Sequence, residues 1–296
     1  AKPDFNADRK VNFADFAMLA AGYRQPIAAY DMDGDGSFGL CDLKMFTTDW
    51  ARTIPDLPGY QFVWSDEFDG TQIDFTNWTH YVAPGYNDEL EYYTDRPDNS
   101  LVEGGRLVII AREEQYDASH SHTSAMLRSL TKADFRYGRM AARIKIPVGQ
   151  GMWPAFWMMP TYETYGNWPD CGEIDIMEAI NQMTRIYGTM HFTDAQHQHL
   201  ASGGSYAPGL CFADDFHVYA IEWEPNEIRW FVDDVMYFSE NEWSSGTYTY
   251  PAPFDDTFHF ILNVAVGGSW AGPPDQTTVF PQQMLVDWVR AYQKTP

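Results

Sequence analysis

From about residue 60 onward the chain alternates polar and apolar residues with a period of two, and little besides β-structure satisfies that pattern. Arg143-Ile144-Lys145-Ile146 alternates in this way. Ile228-Arg229-Trp230-Phe231-Val232 reads as a strand, closed by an Asp233-Asp234 turn into Val235-Met236-Tyr237-Phe238. Near the C-terminus, Met284, Val286, Trp288 and Arg290 share one predicted face, with Leu285, Asp287, Val289 and Ala291 on the other. Many short strands punctuated by Gly, Pro and Asn predict an all-β sandwich or barrel. Residues 60–296 fit one domain of that kind.

The first fifty residues follow a different pattern. Asp4, Asn6, Asp8 and Asp15 recur as Asp31, Asp33, Asp35 and Asp42, each shifted by 27 positions. The apolar set Phe13, Phe16, Leu19 and Tyr23 shifts equally, to Leu40, Leu43, Phe46 and Trp50, which marks an internal repeat. Each unit puts oxygen ligands at loop positions 1, 3, 5 and 12 and then enters an amphipathic helix, the pattern of a calcium loop. Gly36 supplies the sharp turn of the second loop, whereas Arg9 occupies that place in the first. Aspartate rather than glutamate at position 12 resembles a dockerin pair more than a sensor EF-hand. The resemblance covers residues 1–52 and implies a cohesin-type protein partner. A calcium-stapled accessory module without a partner is the alternative. Residues 53–59 predict a short stiff linker.

Composition narrows the partners. The formal charge is −23, from 42 acidic and 19 basic residues, a field that repels phosphate backbones and anionic lipid headgroups. Nucleic acid and membranes are therefore excluded, and neutral polymers or cations are favoured. No apolar run approaches the roughly 20 residues needed to span a bilayer, and no signal peptide precedes Ala1. The expectation is a secreted, monomeric protein whose export signal has been removed. Aromatic residues reach 16%, including eleven Trp, enough both for a β core and for a surface on which sugar rings stack. Three cysteines, Cys41, Cys171 and Cys211, allow one pair, Cys171 with Cys211, and leave at least one thiol.

The segment richest in chemistry is Trp168-Pro169-Asp170-Cys171-Gly172-Glu173-Ile174-Asp175-Ile176-Met177-Glu178. Alternation puts Glu173 and Asp175 on one face and Ile174 and Ile176 on the other. A regular strand would turn Glu178 away, and a one-residue β-bulge near Ile176–Met177 would bring it back. Three carboxyls on one wall cannot all ionise at neutral pH, so at least one must hold its proton. One ionised and one protonated carboxyl are what glycoside hydrolysis requires, and a separation of roughly 5 Å implies retention of configuration. An acidic strand on a solvated face is the plain alternative.

Glu173-Ile174-Asp175-Ile176-Met177-Glu178 resembles the signature of glycoside hydrolase family 16. Val63–Gly70 is similar to that family's opening strand and Gly149–Met158 to its cleft-floor strand. Asn263–Trp270 and Val286–Tyr292 resemble its final strands. Together these motifs span about residues 60–293. The resemblance implies a β-jelly-roll sandwich of two antiparallel sheets. It also implies Glu173 as nucleophile, Glu178 as general acid/base, and Asp175 between them to tune protonation and hold Glu173. Laminarinases of the family resemble this chain in carrying the extra residue, which lichenases lack. The implied activity is a retaining endo-β-1,3-glucanase, with mixed-linkage β-1,3-1,4-glucanase as the alternative. Asn87–Thr94 is similar to a laminarinase segment Asn-x-Glu-x-Gln-Tyr-Tyr-Thr. Glu91 stands where Gln is usual, and Pro84-Gly85-Tyr86 replaces a glycine-rich lead-in.

The same resemblance marks Asn87, Glu89, Trp153, Trp157, Trp168, His191, Asn263 and Trp270 as substrate-binding positions. Core packing is the alternative for Trp157, and a strand-end hydrogen bond the alternative for Asn263. It implies one structural calcium, held by the backbone of Glu67 and Gly105 and the side chain of Asp287, with no part in the chemistry. His197 and His199 with Asp194 suit a transition metal or a solvated loop. Two further functions compete with the enzyme: a carbohydrate-binding module on the same architecture, and a scaffold protein carrying the β domain as cargo.

Overall fold

The computed structural model describes residues 57–295 and the single position Asp42, a buried helical residue. The chain divides into two compact units, Ala1–Pro58 and Gly59–Pro296. The other donors expected of the N-terminal repeat, Asp4, Asn6, Asp8, Asp15, Asp31, Asp33 and Asp35, lie outside the described residues, as does Cys41.

Among the described residues, nineteen strands form two sheets, as the alternation predicts. The eight-stranded sheet runs β14 (His199–Tyr206), β13 (Ile186–Thr193), β12 (Glu173–Glu178), β11 (Met152–Pro160), β18 (Phe258–Val266), β8 (Met126–Arg128) and β2 (Thr79–His80), with β9 (Asp134–Phe135) also on β18. The eleven-stranded sheet starts with β17 (Val235–Glu240), β16 (Glu227–Val232), β15 (His217–Glu224), β10 (Gly138–Lys145) and β19 (Gln282–Lys294). It continues through β6 (Arg106–Glu113), β7 (His122–Ser124), β4 (Glu91–Tyr93) and β3 (Ala83–Pro84). β1 (Tyr60–Asp66) joins it on β19, and β5 (Ser100–Glu103) on β6. One four-residue helix, α1 (Gly268–Ala271), follows β18.

Pairing is antiparallel except between β4 and β7, which run parallel. The expectation of two wholly antiparallel sheets is corrected there. The two strands are not hairpin neighbours, so nothing forces them to run oppositely.

Parity along the two central strands separates core from site. On β18, Phe258, Phe260, Leu262, Val264 and Val266 enter the main core, and on β11 Met152, Phe156 and Met158 do so. The intervening Trp153, Ala155, Trp157, Asn263 and Ala265 line a cleft on the other face. The expected alternation of the last strand fails midway. Met284 and Val286 are core residues, but so are Val289 and Ala291, while Trp288 packs with Ala141 and Ala220 in a separate cluster. Arg143 pairs with Trp288 and Ile144 with Val286, so Asp287 is an extra residue and the faces exchange at that bulge.

That bulge bears on the predicted calcium donors. The Asp287 carboxylate is buried, 2.6 Å from Arg143 Nη1 and 3.5 Å from Arg106 Nε. Glu67 accepts two bonds of 2.8 Å from Arg290, and Gly105 sits in the β5–β6 turn with φ 70°. Asp287 is the only side-chain donor of that set, and a calcium ion there would compete with two guanidinium groups for it. Cys171 and Cys211 are both free thiols, so the allowed disulfide is not formed.

Candidate active site

β12 carries the acidic wall. Phe156 on β11 pairs with Met177 and Trp157 with Asp175, leaving Ile176 as the extra residue. On the other side Asp175 pairs with Thr189 and Glu178 with Tyr187. This is the expected bulge at Ile176–Met177. Ile174, Ile176 and Met177 all enter the core, whereas Glu173, Asp175 and Glu178 all line the cleft. At the bulge the indole N–H of Trp230 donates to the Asp175 carbonyl at 2.8 Å, a partner from the opposite sheet. Gly188 faces the bulge, and a Cβ on it would collide with that indole.

Two tryptophans hold the outer carboxyls. Trp153 Nε1–H donates to Glu178 Oε1 at 2.8 Å, and Trp168 Nε1–H to Glu173 Oε2 at 2.7 Å. Burial raises all three acids. Glu173 is pushed up to about 8 by burial and then by Asp175, with His191 opposing. Glu178 is pushed up to about 7 by burial, against the Trp153 hydrogen bond. Asp175 rises well above the usual carboxylate range through burial and the neighbouring Glu178. Glu173 and Asp175 face each other, and Asp175 raises Glu173 further. Two adjoining carboxyls do not both ionise readily near neutrality, which favours one shared proton on this pair.

His191 Nε2 lies 3.1 Å from Asp175 Oδ2, within ion-pair range though off the line of a hydrogen bond. Its Nδ1 is 2.9 Å from His199 Nε2, and the two rings stack at 5.1 Å. Trp168 covers His199, with ring centroids 4.9 Å apart. His197 instead bonds Asp170 at 2.8 Å, so the two histidines of the His-x-His pair engage different partners. Glu173, Asp175 and His191 bring donor atoms within 4.8 Å of one another, a spacing a cation could span in competition with the shared proton.

The opposite side of the cleft is a chain of polar contacts. Trp157 Nε1–H donates to Asn263 Oδ1 at 2.7 Å, and Asn263 Nδ2–H to the Tyr93 hydroxyl at 3.0 Å. That hydroxyl donates to Glu89 at 3.3 Å. Asn87 and Asp88 hold φ of 53° and 62° in a turn closed by Glu89 N–H on the Tyr86 carbonyl, a primed turn that asparagine and aspartate tolerate. Trp157 meets both readings at once, packing on a small cluster with Tyr93 and Ile261 while facing the cleft. Trp270 sits on α1 outside the cleft lining, edge-on to Trp153 at 5.2 Å and to Tyr187 at 4.9 Å.

Tyr93 is not among the cleft residues expected from the sequence, and His199 is grouped there with His197 and Asp194 rather than with His191. Tyr93 lies within the quoted Asn87–Thr94 motif, so its signal was present. The neighbours of His199 come from β13 and from the 168 loop, and no spacing in the sequence discloses them.

A set of carboxyls with one buried and two half-buried members, beside a half-buried and an exposed indole, can protonate a leaving oxygen and offer a carboxylate nucleophile to a sugar. Comparison with known proteins agrees with that chemistry. The model of the Glycosyl hydrolases family 16 matches residues 85–290. A Beta-glucanase of Rhodothermus marinus is 43% identical over 254 residues, covering 79% of this chain and 86% of its own. The solved laminarinase from Rhodothermus marinus superposes with a TM-score of 0.71 at 42% identity, over 80% of this chain and 98% of its own. The catalytic domain of an endo-1,3-beta-glucanase (laminarinase) from Thermotoga petrophila RKU-1 gives a TM-score of 0.71 at 39% identity, over 80% and 99%. With its fold, its cleft and these matches in agreement, this chain is a glycoside hydrolase and belongs to family 16.

Proposed function

We propose that this chain is a retaining endo-β-1,3-glucanase acting on laminarin-type glucan. The observation that carries the proposal is the bulged strand β12, which lines one cleft with Glu173, Asp175 and Glu178. The relatives named above are glucanases or laminarinases, which supports β-1,3-glucan as substrate. Glu178, raised to about 7, keeps a useful protonated fraction near neutrality and gives its proton to the departing glycosidic oxygen. Glu173 attacks C1 from the opposite side while Asp175 keeps their shared proton, and the bond to the leaving sugar breaks. In the second step Glu178, now ionised, takes a proton from water, whose oxygen displaces Glu173 from C1 and restores the starting state. Trp153 and Trp168, each already bonded to a reacting carboxyl, serve as the sugar-stacking surfaces.

The N-terminal repeat, residues 1–52, is proposed as a calcium-binding module for a cohesin-type partner, tethered by residues 53–59 to a secreted, monomeric enzyme. Calcium has no place in the catalytic steps.

Glu178→Gln tests the assignment. Turnover on laminarin should fall by about 10²–10⁴, while an activated aryl glycoside, whose leaving group needs little protonation, loses less in the first step. Glu173→Ala should be as damaging on laminarin and should regain turnover with azide as the α-glycosyl azide. Hydrolysis near the parent rate in Glu178→Gln, or a β-azide product from Glu173→Ala, contradicts these roles.

A further inference from the structure

Two departures from the pattern that the sequence resembles, Glu91 in place of glutamine and the segment Pro84-Gly85-Tyr86, meet as one feature in the fold. Glu91 is fully buried on β4. Its Oε2 accepts the backbone N–H of Val266 at 2.7 Å. Its Oε1 has no hydrogen-bond donor and lies beside the Glu89 carboxylate, whose charge raises Glu91 beyond the effect of burial. A Cβ at Gly85 would fall on Glu91 Oε1 and lie 2.5 Å from Glu89 Oε2, so both oxygens meet beneath that glycine. Two facing carboxyl oxygens attract only with a proton between them, so one of these acids is neutral.

The surroundings say which. Glu89 accepts from Tyr86 N–H at 3.1 Å, the Tyr93 hydroxyl at 3.3 Å and Asn87 Nδ2–H at 3.5 Å. Glu91 is fully buried, whereas Glu89 is partly open to the cleft. Burial penalises charge most at Glu91, so the proton rests there.

We propose that Glu91 is a positioning residue, whose neutral carboxyl donates to Glu89 and holds the charged Glu89 carboxylate in the cleft as an acceptor for a glucan hydroxyl. The inference rests on the glucanase function proposed above and deepens it at one side of the cleft. The titratable groups facing the pair are Tyr86 and Tyr93 on its own segment and Glu178 across the cleft, which Glu89 raises further. His122 pairs with Glu91 in the β4–β7 register and packs its ring on Phe280 at 5.0 Å. Arg128 is engaged over Tyr81 at 4.6 Å. Among the described residues, no Lys, Arg or His forms an ion pair with Glu89 or Glu91. Loss of the proton therefore places two uncompensated charges beneath Gly85 and drives Glu89 out of position. Substrate binding suffers, while the carboxyls of β12 keep their own titration.

The test compares KM and kcat on laminarin for the parent and Glu91→Gln from about pH 6 to about pH 9, together with Tm over the same range. The glutamine amide replaces the proton as donor, and its oxygen can still accept Val266 N–H. The parent KM should rise about fivefold or more toward alkaline pH, while that of the variant stays within about twofold, the cost of one lost hydrogen bond being the guide. Until the folded parent releases it, the Glu91 proton is one that the unfolded chain has already lost, so stability falls as pH rises toward that point. The Tm of the variant should accordingly gain on the parent with pH. Superimposable KM profiles, or a KM raised equally at every pH in Glu91→Gln, overturn the positioning role. A Tm difference that ignores pH overturns the neutral Glu91. If laminarin is not hydrolysed at all, the substrate proposal fails, and the Tm comparison still decides the state of Glu91.

Discussion

Glu178 is pushed up to about 7 even though Trp153 donates to it, because burial penalises its charge more than one hydrogen bond relieves it. The consequence reaches stability. A carboxyl with a folded pKa near 7 and an unfolded pKa near 4.5 binds more proton in the folded state between those values. Folding stability therefore falls as pH rises through that window and levels off above it. Removing the charge reverses the sign: Glu178→Gln should melt above the parent at about pH 8 and lose that advantage toward about pH 4.5. The gain at the higher pH should be on the order of 2 kcal/mol, or roughly 4–8 °C in Tm. A variant that melts below the parent at both pH values would show that Glu178 is not buried against its charge. The three carboxyls were legible because parity and one bulge are properties of a single strand. The contacts of His199 with His191 and of Glu91 with Glu89 beneath Gly85 were not, since they depend on how loops close over the sheet.

At the scale of elements, the bulge decides which side chains share the cleft. With Ile176 as the extra residue, Glu178 stands five positions after Glu173 and on the same face. Parity makes this testable. Deleting Met177 leaves Glu178 four positions from Glu173, again on one face of a regular strand, so laminarin or lichenan hydrolysis should persist at reduced stability. Inserting alanine between Met177 and Glu178 turns the carboxyl toward the core if the bulge is kept, and carries it one cleft position farther from Glu173 if the strand straightens. Turnover should be abolished in either case, with circular dichroism confirming that the sheets remain. An active insertion variant would contradict the account of β12. Gly188 and Trp230 explain why the bulge is tolerated, and neither announces that role in the sequence. The second bulge, at Asp287, went unseen because an acidic residue among alternating apolar ones fits either face. It shows once a partner strand fixes the register.

For the whole molecule, alternation sufficed to specify an all-β chain, and the order of motifs from Val63 to Tyr292 anticipated the family. Sheet order and the parallel β4–β7 pair lie beyond such patterns, since they follow from packing between distant segments. Linkage preference is likewise a property of the assembled cleft, where Trp153 and Trp168 bond the reacting carboxyls and Trp153 adjoins Asn87 and Glu89 beside Gly268. A β-1,3 chain curves, and its sugar faces turn toward those indoles differently from the faces of a straighter chain with β-1,4 links. The central claim is therefore tested most directly by kcat/KM on laminarin and on lichenan under one set of conditions. The account predicts a laminarin-to-lichenan ratio well above one. A ratio well below one would place the enzyme with mixed-linkage glucanases, and inactivity on both polymers would contradict β-1,3-glucan as its substrate.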